Sequence, residues 1–202
     1  MQKIDFKKEL KPFYRPSAKK ISVVDVPSMQ FLMIDGQGDP NTALAYTNAI
    51  ETLYAISYTL KFMSKKQLAR DYVVMPLEGL WWAEDMASFS IENKDAWLWT
   101  AMIMQPDWIN ADMVAAAKEA AAQKKALPAL FKLRFQTYHE GLAAQILYIG
   151  PYADEAPTIA RLHAHIVENG YRLAGKHHEI YLSDPRRMAP EKLKTVIRQP
   201  MR

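Results

Sequence analysis

Apolar residues form short runs or alternate with polar residues at several places along the chain, which is the pattern of partly buried β-strands. These segments are 29–34, 72–82, 96–104, 143–149, 177–182 and 193–198. Pro76 lies within the second segment and favours an edge or a bulge there, because proline has no backbone N–H to donate. The acidic and polar residues 83–95 are expected to connect the second and third strands as a hairpin.

Side chains alternate between the two faces of a strand, so the same segments predict which residues share a face. In the second strand, Glu78, Leu80 and Trp82 share one face, and in the third strand Trp97 and Trp99 share one face. Tryptophan suits ligand pockets because it offers a broad apolar surface with a polar N–H, although ordinary core packing is an equally good interpretation of each one.

Other segments carry apolar residues at helical spacing. The first helix is expected to begin at Asn41, with Asn41 or Thr42 as its N-cap, and to end in a cluster of cations that suits the negative end of the helix dipole. The second, residues 107–125, is rich in alanine, and the third, residues 155–169, is expected to end at Gly170.

Two stretches give no regular pattern. Roughly the first 25 residues are basic and are interrupted by Pro12 and Pro16, so they predict an arm that packs across the surface. Residues 127–139 contain Pro128 and indicate either the end of the second helical region or an extended linker.

The two halves of the chain repeat one order of elements: strand, glycine turn, helix, strand, strand. In this comparison the turn at Gly36 matches the turn at Gly150, and Glu78 falls where Glu179 falls. Since one β-α-β-β unit cannot cover both faces of its sheet, two units are expected to form one antiparallel sheet with helices on one side. The predicted fold class is therefore α+β, with a concave ligand cleft on the side without helices.

Residues 177–182 carry the most informative chemistry. Alternation places His178, Ile180 and Leu182 on one face and Glu179 and Tyr181 on the other. Burying an anion costs several kcal/mol unless something pairs with it, so a carboxylate beside a phenol needs a partner, a solvated cleft or a ligand. Glu179 is thus the predicted functional group, and a solvated Glu on an edge strand is the alternative.

Composition and charge exclude several classes of function. The net charge is +4, but the basic residues are scattered in short clusters, so no nucleic-acid groove is expected. No run approaches about 18 apolar residues, and the beginning of the chain has no signal-peptide core, so a cytoplasmic protein without a membrane span is expected. With no cysteine, disulfides and thiolate chemistry are excluded.

No metal or cofactor is expected from the local sequence. His177 and His178 are adjacent on a strand and point to opposite faces, and His163 and His165 diverge on a helix. The two glycines in residues 36–38 lack the remaining residues of a phosphate-binding loop, so a plain turn is the better interpretation.

Four sequence blocks in this order resemble the GyrI-like small-molecule-binding family, in particular its stand-alone members of about this length. The blocks are 31–40 (FLMIDGQGDP), 76–82 (PLEGLWW), 149–155 (IGPYADE) and 177–185 (HHEIYLSDP). The resemblance implies one domain over residues 1–202 with two SHS2-type β-α-β-β repeats. Its parts would be an arm at 1–25, a first repeat at about 26–106, a linker helix at about 107–140 and a second repeat at about 141–202.

The resemblance also implies a central pocket lined by aromatic residues with a glutamate at its base, which matches Glu179 by motif and Glu78 only through the repeat. Family members fused to DNA-binding domains sense bulky cationic or aromatic compounds. Some stand-alone members are similar to enzymes that hydrolyse cyclopropane-bearing alkylators of DNA. No DNA-binding segment precedes the domain in this sequence, so direct regulation of transcription is not expected.

Three functions follow as alternatives. As a hydrolase, the protein would use Glu179 to activate a water and Tyr181 to donate a proton to a developing phenolate, with Trp82, Trp97 and Trp99 stacking on the substrate. As a binding protein, it would sequester or sense an aromatic or cationic small molecule. As an adaptor, it would bind another protein instead.

Overall fold

The computed structural model describes residues 2–84 and 94–202. Residues 85–93, the middle of the predicted hairpin connection, lie outside the described residues. The chain divides into two units: unit 1 contains the chain up to Phe6 together with Met29–Tyr138, and unit 2 contains Lys7–Ser28 and His139–Arg202.

The described chain contains both strands and helices. The strands are β1 (Lys3–Ile4), β2 (Ser22–Val26), β3 (Met29–Gln37), β4 (Asp71–Tyr72), β5 (Glu78–Trp82), β6 (Leu98–Gln105), β7 (Arg134–Tyr138), β8 (Gly141–Ile149), β9 (His177–Tyr181) and β10 (Lys194–Pro200). The helices are α1 (Phe6–Glu9), α2 (Lys11–Tyr14), α3 (Leu44–Gln67), α4 (Ala111–Ala122) and α5 (Ala156–Glu168).

Unit 1 is an antiparallel sheet with the strand order β5-β6-β3-β7 and one face covered by α3. The apolar run of β3, residues 31–34, is at most 4% exposed, as expected for a central strand. On α3, the ring of Tyr46 contacts Trp81 and Trp99, with centroid distances of 5.6 and 5.0 Å. The face of Trp81 and Trp99 is therefore the helix-covered face.

Unit 2 has the strand order β2-β8-β10-β9, again antiparallel, with α5 on one face. The core between α5 and the sheet contains Leu162 and Ile166 from the helix, Ile146 from β8 and Ile197 from β10. The predicted α+β class and the predicted strand-helix-strand-strand order are confirmed in both units.

Equivalent turns follow the first strand of each repeat. The N–H of Gly38 donates to the carbonyl of Trp97 at 2.9 Å, and the N–H of Gly150 donates to the carbonyl of Leu193 at 3.0 Å. Gly38 has a φ of 107° and Gly150 a φ of 151°. The glycine that matches Gly150 is therefore Gly38. The sequence comparison predicted Gly36, and that match is wrong.

This shift of register changes the match between the two glutamates. Glu78 pairs with Met102, whereas His178 pairs with Arg198. Met102 follows Trp97 by the same number of residues as Arg198 follows Leu193, and these are the residues whose carbonyls bind the two glycines. Glu78 is therefore equivalent to His178. The match of Glu78 with Glu179 is wrong by one residue, and one residue in a strand reverses the face.

The N-terminal arm and the residues after α4 are more regular than the sequence predicts. The arm contains α1, α2 and two strands, β1 and β2, and β2 pairs with β8. Residues 134–138, within the predicted linker, form the edge strand β7 beside β3. In β2 and β7 most residues are exposed or half-buried, so the apolar pattern of these strands is weak.

Two helices begin later than predicted. The N-cap of α3 is Ala43, because the backbone and side-chain amides of Asn41 instead donate to Asp39 Oδ1, at 2.9 and 2.7 Å. The N-cap of α4 is Asn110, whose Oδ1 accepts from the N–H of Met113 at 2.9 Å. In the part of the chain that the structure describes, no helix has both the length and the apolar composition required to span a membrane.

Candidate functional site in unit 2

Three polar side chains of β9 project toward α5. Glu179 pairs with Ile197, which belongs to the core beneath α5, so the face of His177, Glu179 and Tyr181 is the helix-covered face of unit 2. The alternation predicted for this strand is present. The predicted location of Glu179 on a face without helices is wrong for unit 2, because the register of β9 on β10 directs the carboxyl group to the side of α5.

Glu179 is held by its two neighbours on the same face. The Nε2 atom of His177 lies 3.1 Å from Oε1, and the hydroxyl of Tyr181 donates to Oε2 at 2.6 Å. Burial raises the pKa of Glu179, but the hydrogen bond and charge interaction with His177 and the bond from Tyr181 outweigh burial and lower it below its ordinary value. Glu179 is therefore a carboxylate at neutral pH, with a side chain 16% exposed.

A second carboxyl group, Glu155, lies beside Glu179. It is the N-cap residue of α5 and is only 3% exposed. Burial and the negative charge of Glu179 raise the pKa of Glu155 to about 9, so this group is a neutral acid at pH 7. Its Oε1 atom is buried and has no hydrogen-bond partner among the described residues.

The sequence contained one signal for Glu155. It ends the block 149–155, one of the four that carry the family resemblance, but nothing in the local pattern shows that this glutamate is buried. A glutamate in the first turn of a helix is ordinarily an exposed residue that favours the helix dipole.

The turn before α5 positions Glu155. The hydroxyl of Tyr148 donates to the carbonyl of Pro151 at 3.0 Å, across Gly150. A Cβ at Gly150 would lie 2.5 Å from that hydroxyl, and its φ of 151° is one that other residues rarely adopt. Glycine is thus required here both for the backbone and for the close approach of the tyrosine.

Aromatic and hydroxyl groups surround the two carboxyls. The ring of Tyr152 meets the ring of Tyr181 edge to face, with centroids 5.5 Å apart. Thr195 of β10 is the strand partner of Tyr181 of β9, so its buried side chain lies on the same face. Tyr152 is 38% exposed and the side chain of Glu179 is 16% exposed, whereas Glu155 is buried.

The opposite face of β9 carries a separate, structural network. Glu140 accepts hydrogen bonds from His178 and Arg198, each at 2.8 Å, and all three side chains are at most 3% exposed. Burial opposes ionisation of Glu140, but His178 and Arg198 lower its pKa to about 2. Arg198 also donates to the carbonyl of Phe13 at 2.6 Å, which fixes the arm to unit 2.

The predicted ligand residues of unit 1 do not share one surface. Glu78, which is 1% exposed, and Trp82 lie on the face away from α3. Trp97 and Trp99 lie on the α3 side and both contact Trp81. Trp99 is the strand partner of Trp81, and the ring centroids of Trp97 and Trp81 are 5.7 Å apart. From the predicted set, the structure joins Glu179 and Tyr181 by a hydrogen bond.

Trp99 is a core residue of unit 1. It is 1% exposed, and its six-membered ring lies so close to Gly36 that a Cβ there would be 2.2 Å away. It also contributes to a pocket of about 160 Å³ in unit 1. The pocket is lined by Ile34, Asp35, Ala45, Asn48, Trp99, Pro128, Ala129, Phe131 and Lys132.

Comparison with known proteins gives a family match over most of the chain. The sequence profile of the GyrI-like small molecule binding domain matches residues 19–202. None of the curated proteins matches the chain significantly.

Solved structures agree with this match. A protein from Listeria innocua described as an uncharacterized conserved protein is 44% identical, with a TM-score of 0.92 over 99% of this chain and 100% of that one. A hydrolase from Listeria innocua is 42% identical, with a TM-score of 0.89 over 100% of both chains. The C-terminal domain of EcmrR is 12% identical, with a TM-score of 0.56 over 91% of this chain and 97% of that one, and is similar in fold alone.

Proposed function

Because the chain belongs to the GyrI-like family of small-molecule-binding domains, we propose that it binds bulky aromatic or cationic compounds and hydrolyses reactive, cyclopropane-bearing ones. The similarity to a hydrolase at 42% identity over the whole chain supports a hydrolytic step. The observation that carries the proposal is the carboxylate of Glu179, partly exposed and hydrogen-bonded to the phenol of Tyr181 at 2.6 Å.

The side chains of Glu179 and Tyr181 can together transfer one proton from the attacking water to the product. Glu179 accepts a proton from the water that attacks a carbon of the strained ring. As the new C–O bond forms, a C–C bond of the ring breaks, and its electrons pass to the aromatic system as a phenolate. Tyr181 donates its proton to that phenolate and recovers one from Glu179 across their hydrogen bond. Water is consumed, and both side chains return to their initial protonation states.

The aromatic part of the proposal concerns both units. Tyr152 and Tyr181 flank the carboxylate in unit 2 and offer ring faces to a flat or cationic substrate. Trp82 and Trp97 in unit 1 remain predicted ligand residues, and so do Glu78 and Trp99, whose burial favours a role in packing.

Turnover of a cyclopropane-containing alkylator tests the hydrolytic function. The pure protein is incubated with an excess of the compound, and the ring-opened product is measured by mass spectrometry. Many products per protein molecule are expected for the wild type, and at least a hundredfold fewer for Glu179→Gln, because an amide cannot accept the proton. Glu191→Gln, which changes an exposed glutamate of unit 2, is the matched control and should retain wild-type turnover.

Binding without chemistry is the second candidate, and the small-molecule-binding character of the family favours it. In that case the compound is protected in proportion to the protein added, and no ring-opened product accumulates. A Glu179→Gln variant that turns over at the wild-type rate would contradict the hydrolytic mechanism.

A further inference from the structure

The pair of carboxyl groups in unit 2 is not explained by the proposed hydrolysis, which uses only Glu179. Glu155 lies beside it, with one carboxyl oxygen buried and without a hydrogen-bond partner among the described residues. An unsatisfied buried polar atom costs about 1–3 kcal/mol, so its retention requires an explanation. Two adjacent carboxyls in an enclosed place share a single negative charge, because two charges repel each other there.

Among the described residues, the groups found to interact with this pair or with its immediate neighbours are neutral, acidic or histidine side chains. They are His177 and Tyr181 on β9, Thr195 on β10, Tyr148 on β8, Asp154 in the turn before α5, and His163 on α5, which faces His177. This set contains neither lysine nor arginine. Burial, followed by the proximity of His177, lowers the pKa of His163, so that side chain is neutral at pH 7. His177 already interacts with Glu179, so a second carboxylate here needs a further positive charge, which a cationic ligand can supply.

The surroundings fit an organic cation with aromatic or apolar substituents. Tyr152 and Tyr181 present aromatic rings beside the carboxylate, and the faces of such rings attract cations. The side chain of Glu179 is partly exposed, so a ligand can reach the pair from solvent through this residue.

We propose that Glu155 and Glu179 share one proton when the site is empty and release it when a cationic ligand binds. The exchange is balanced: one positive charge enters, one proton leaves to solvent, and Glu155 changes from a carboxylic acid to a carboxylate. This inference rests on the proposed small-molecule binding and adds to it a linkage between the binding of a cation and pH. The raised pKa of Glu155 agrees with it, because the proton is present at neutral pH.

Isothermal titration calorimetry tests the exchange with a pair of probes. Tetraphenylphosphonium carries a charge that does not depend on pH, and triphenylphosphine oxide is a neutral analogue. Titrations in two buffers with different ionisation enthalpies give the number of protons released. Near pH 7, about one proton is expected for each phosphonium bound and none for the oxide. The phosphonium affinity is expected to rise by up to tenfold per pH unit below about pH 9.

Glu155→Gln is the decisive variant, and Glu191→Gln is its matched control. The first should release no proton on binding phosphonium and show a phosphonium affinity independent of pH. The control should behave as the wild type. Phosphonium binding to the wild type without proton release, or equal release by Glu155→Gln, would overturn the exchange while leaving the binding function intact. If neither probe binds, the binding function itself fails and the exchange fails with it.

A measurement on the wild type alone does not require that any variant folds. With ¹³C in the glutamate carboxyl groups, nuclear magnetic resonance should show one signal that titrates near pH 9. Saturating phosphonium near pH 7 should move that signal to the position of a carboxylate. A signal unchanged by bound phosphonium would also overturn the exchange.

Discussion

Glu155 makes the stability of the protein depend on pH in a direction opposite to most glutamates. Its pKa in the folded protein, about 9, lies above that of the unfolded chain, so the folded state retains a proton that the unfolded state loses. The stabilisation is complete below the pKa of the unfolded chain, about 4.5, and is lost as pH rises toward about 9.

We therefore expect Glu155→Gln to become more stable relative to the wild type as pH rises over this range, by up to about 1.4 kcal/mol per pH unit. Urea unfolding at several pH values from about 5 to about 9 measures the difference. Glu191→Gln should differ from the wild type by the same small amount at every pH. A constant difference for Glu155→Gln would contradict a protonated Glu155.

The Tyr181→Phe variant removes the hydroxyl group of Tyr181 and keeps its aromatic ring. Without the hydroxyl the hydrogen bond to Glu179 is lost, so the pKa of Glu179 is expected to rise. Turnover of the cyclopropane compound should fall by about a hundredfold, and the acidic limb of its pH profile should move to higher pH. Tyr152→Phe, which retains the ring beside Tyr181, is the control and should preserve that limb. An unchanged profile for Tyr181→Phe would show that its phenol takes no part.

At the scale of elements, the turn between β8 and α5 fixes the place of Glu155. We expect Gly150→Ala to cost about 2–4 kcal/mol of unfolding free energy, since Cβ would meet the hydroxyl of Tyr148 and the backbone would be strained. Gly170→Ala is the matched control, because its φ is also positive, 82°, but nothing lies within 4 Å. It should cost about 1 kcal/mol. Equal losses would show that the contact with Tyr148 is unimportant.

Alternation along the chain was sufficient to predict the central strands and the helices, because half-buried elements have a clear period. It could not predict β7, which is partly exposed beside β3, nor the register between repeats, which depends on the turns at Gly38 and Gly150. Glu179 and Tyr181 could be predicted because they lie two residues apart on one strand. Glu155 could not, because its burial depends on contacts between α5 and β9.

At the scale of the whole molecule, two units with one topology carry different chemistry. Glu179 pairs with Ile197, and the equivalent pair in unit 1 is Gly79 with Ala101. A Cβ at Gly79 would lie 2.6 Å from the indole nitrogen of Trp81, so this position in unit 1 has no room for an acid. The position of Glu179 on the helix-covered face thus carries a carboxylate in unit 2 and a glycine in unit 1.

The network around Glu140 gives a further prediction for unit 2. Arg198→Ala should cost about 3–5 kcal/mol, because Glu140 would keep a buried charge with one partner fewer. The double variant Arg198→Met with Glu140→Gln should lose less, since it removes both charges at once. Thermal unfolding followed by circular dichroism measures both variants. A double variant less stable than Arg198→Ala would contradict this account of the network.

Arg198 donates to the carbonyl of Phe13, and Gln145 donates to the carbonyl of Pro12. These hydrogen bonds affect whether the protein tolerates truncation of its first residues. An expression clone that starts after the first helices would remove one acceptor from the guanidinium of Arg198 and one from the side-chain amide of Gln145. Such a product is expected to be poorly soluble, even though the family profile begins only at residue 19. Fusion partners placed before the first strand, with these segments retained, avoid that defect.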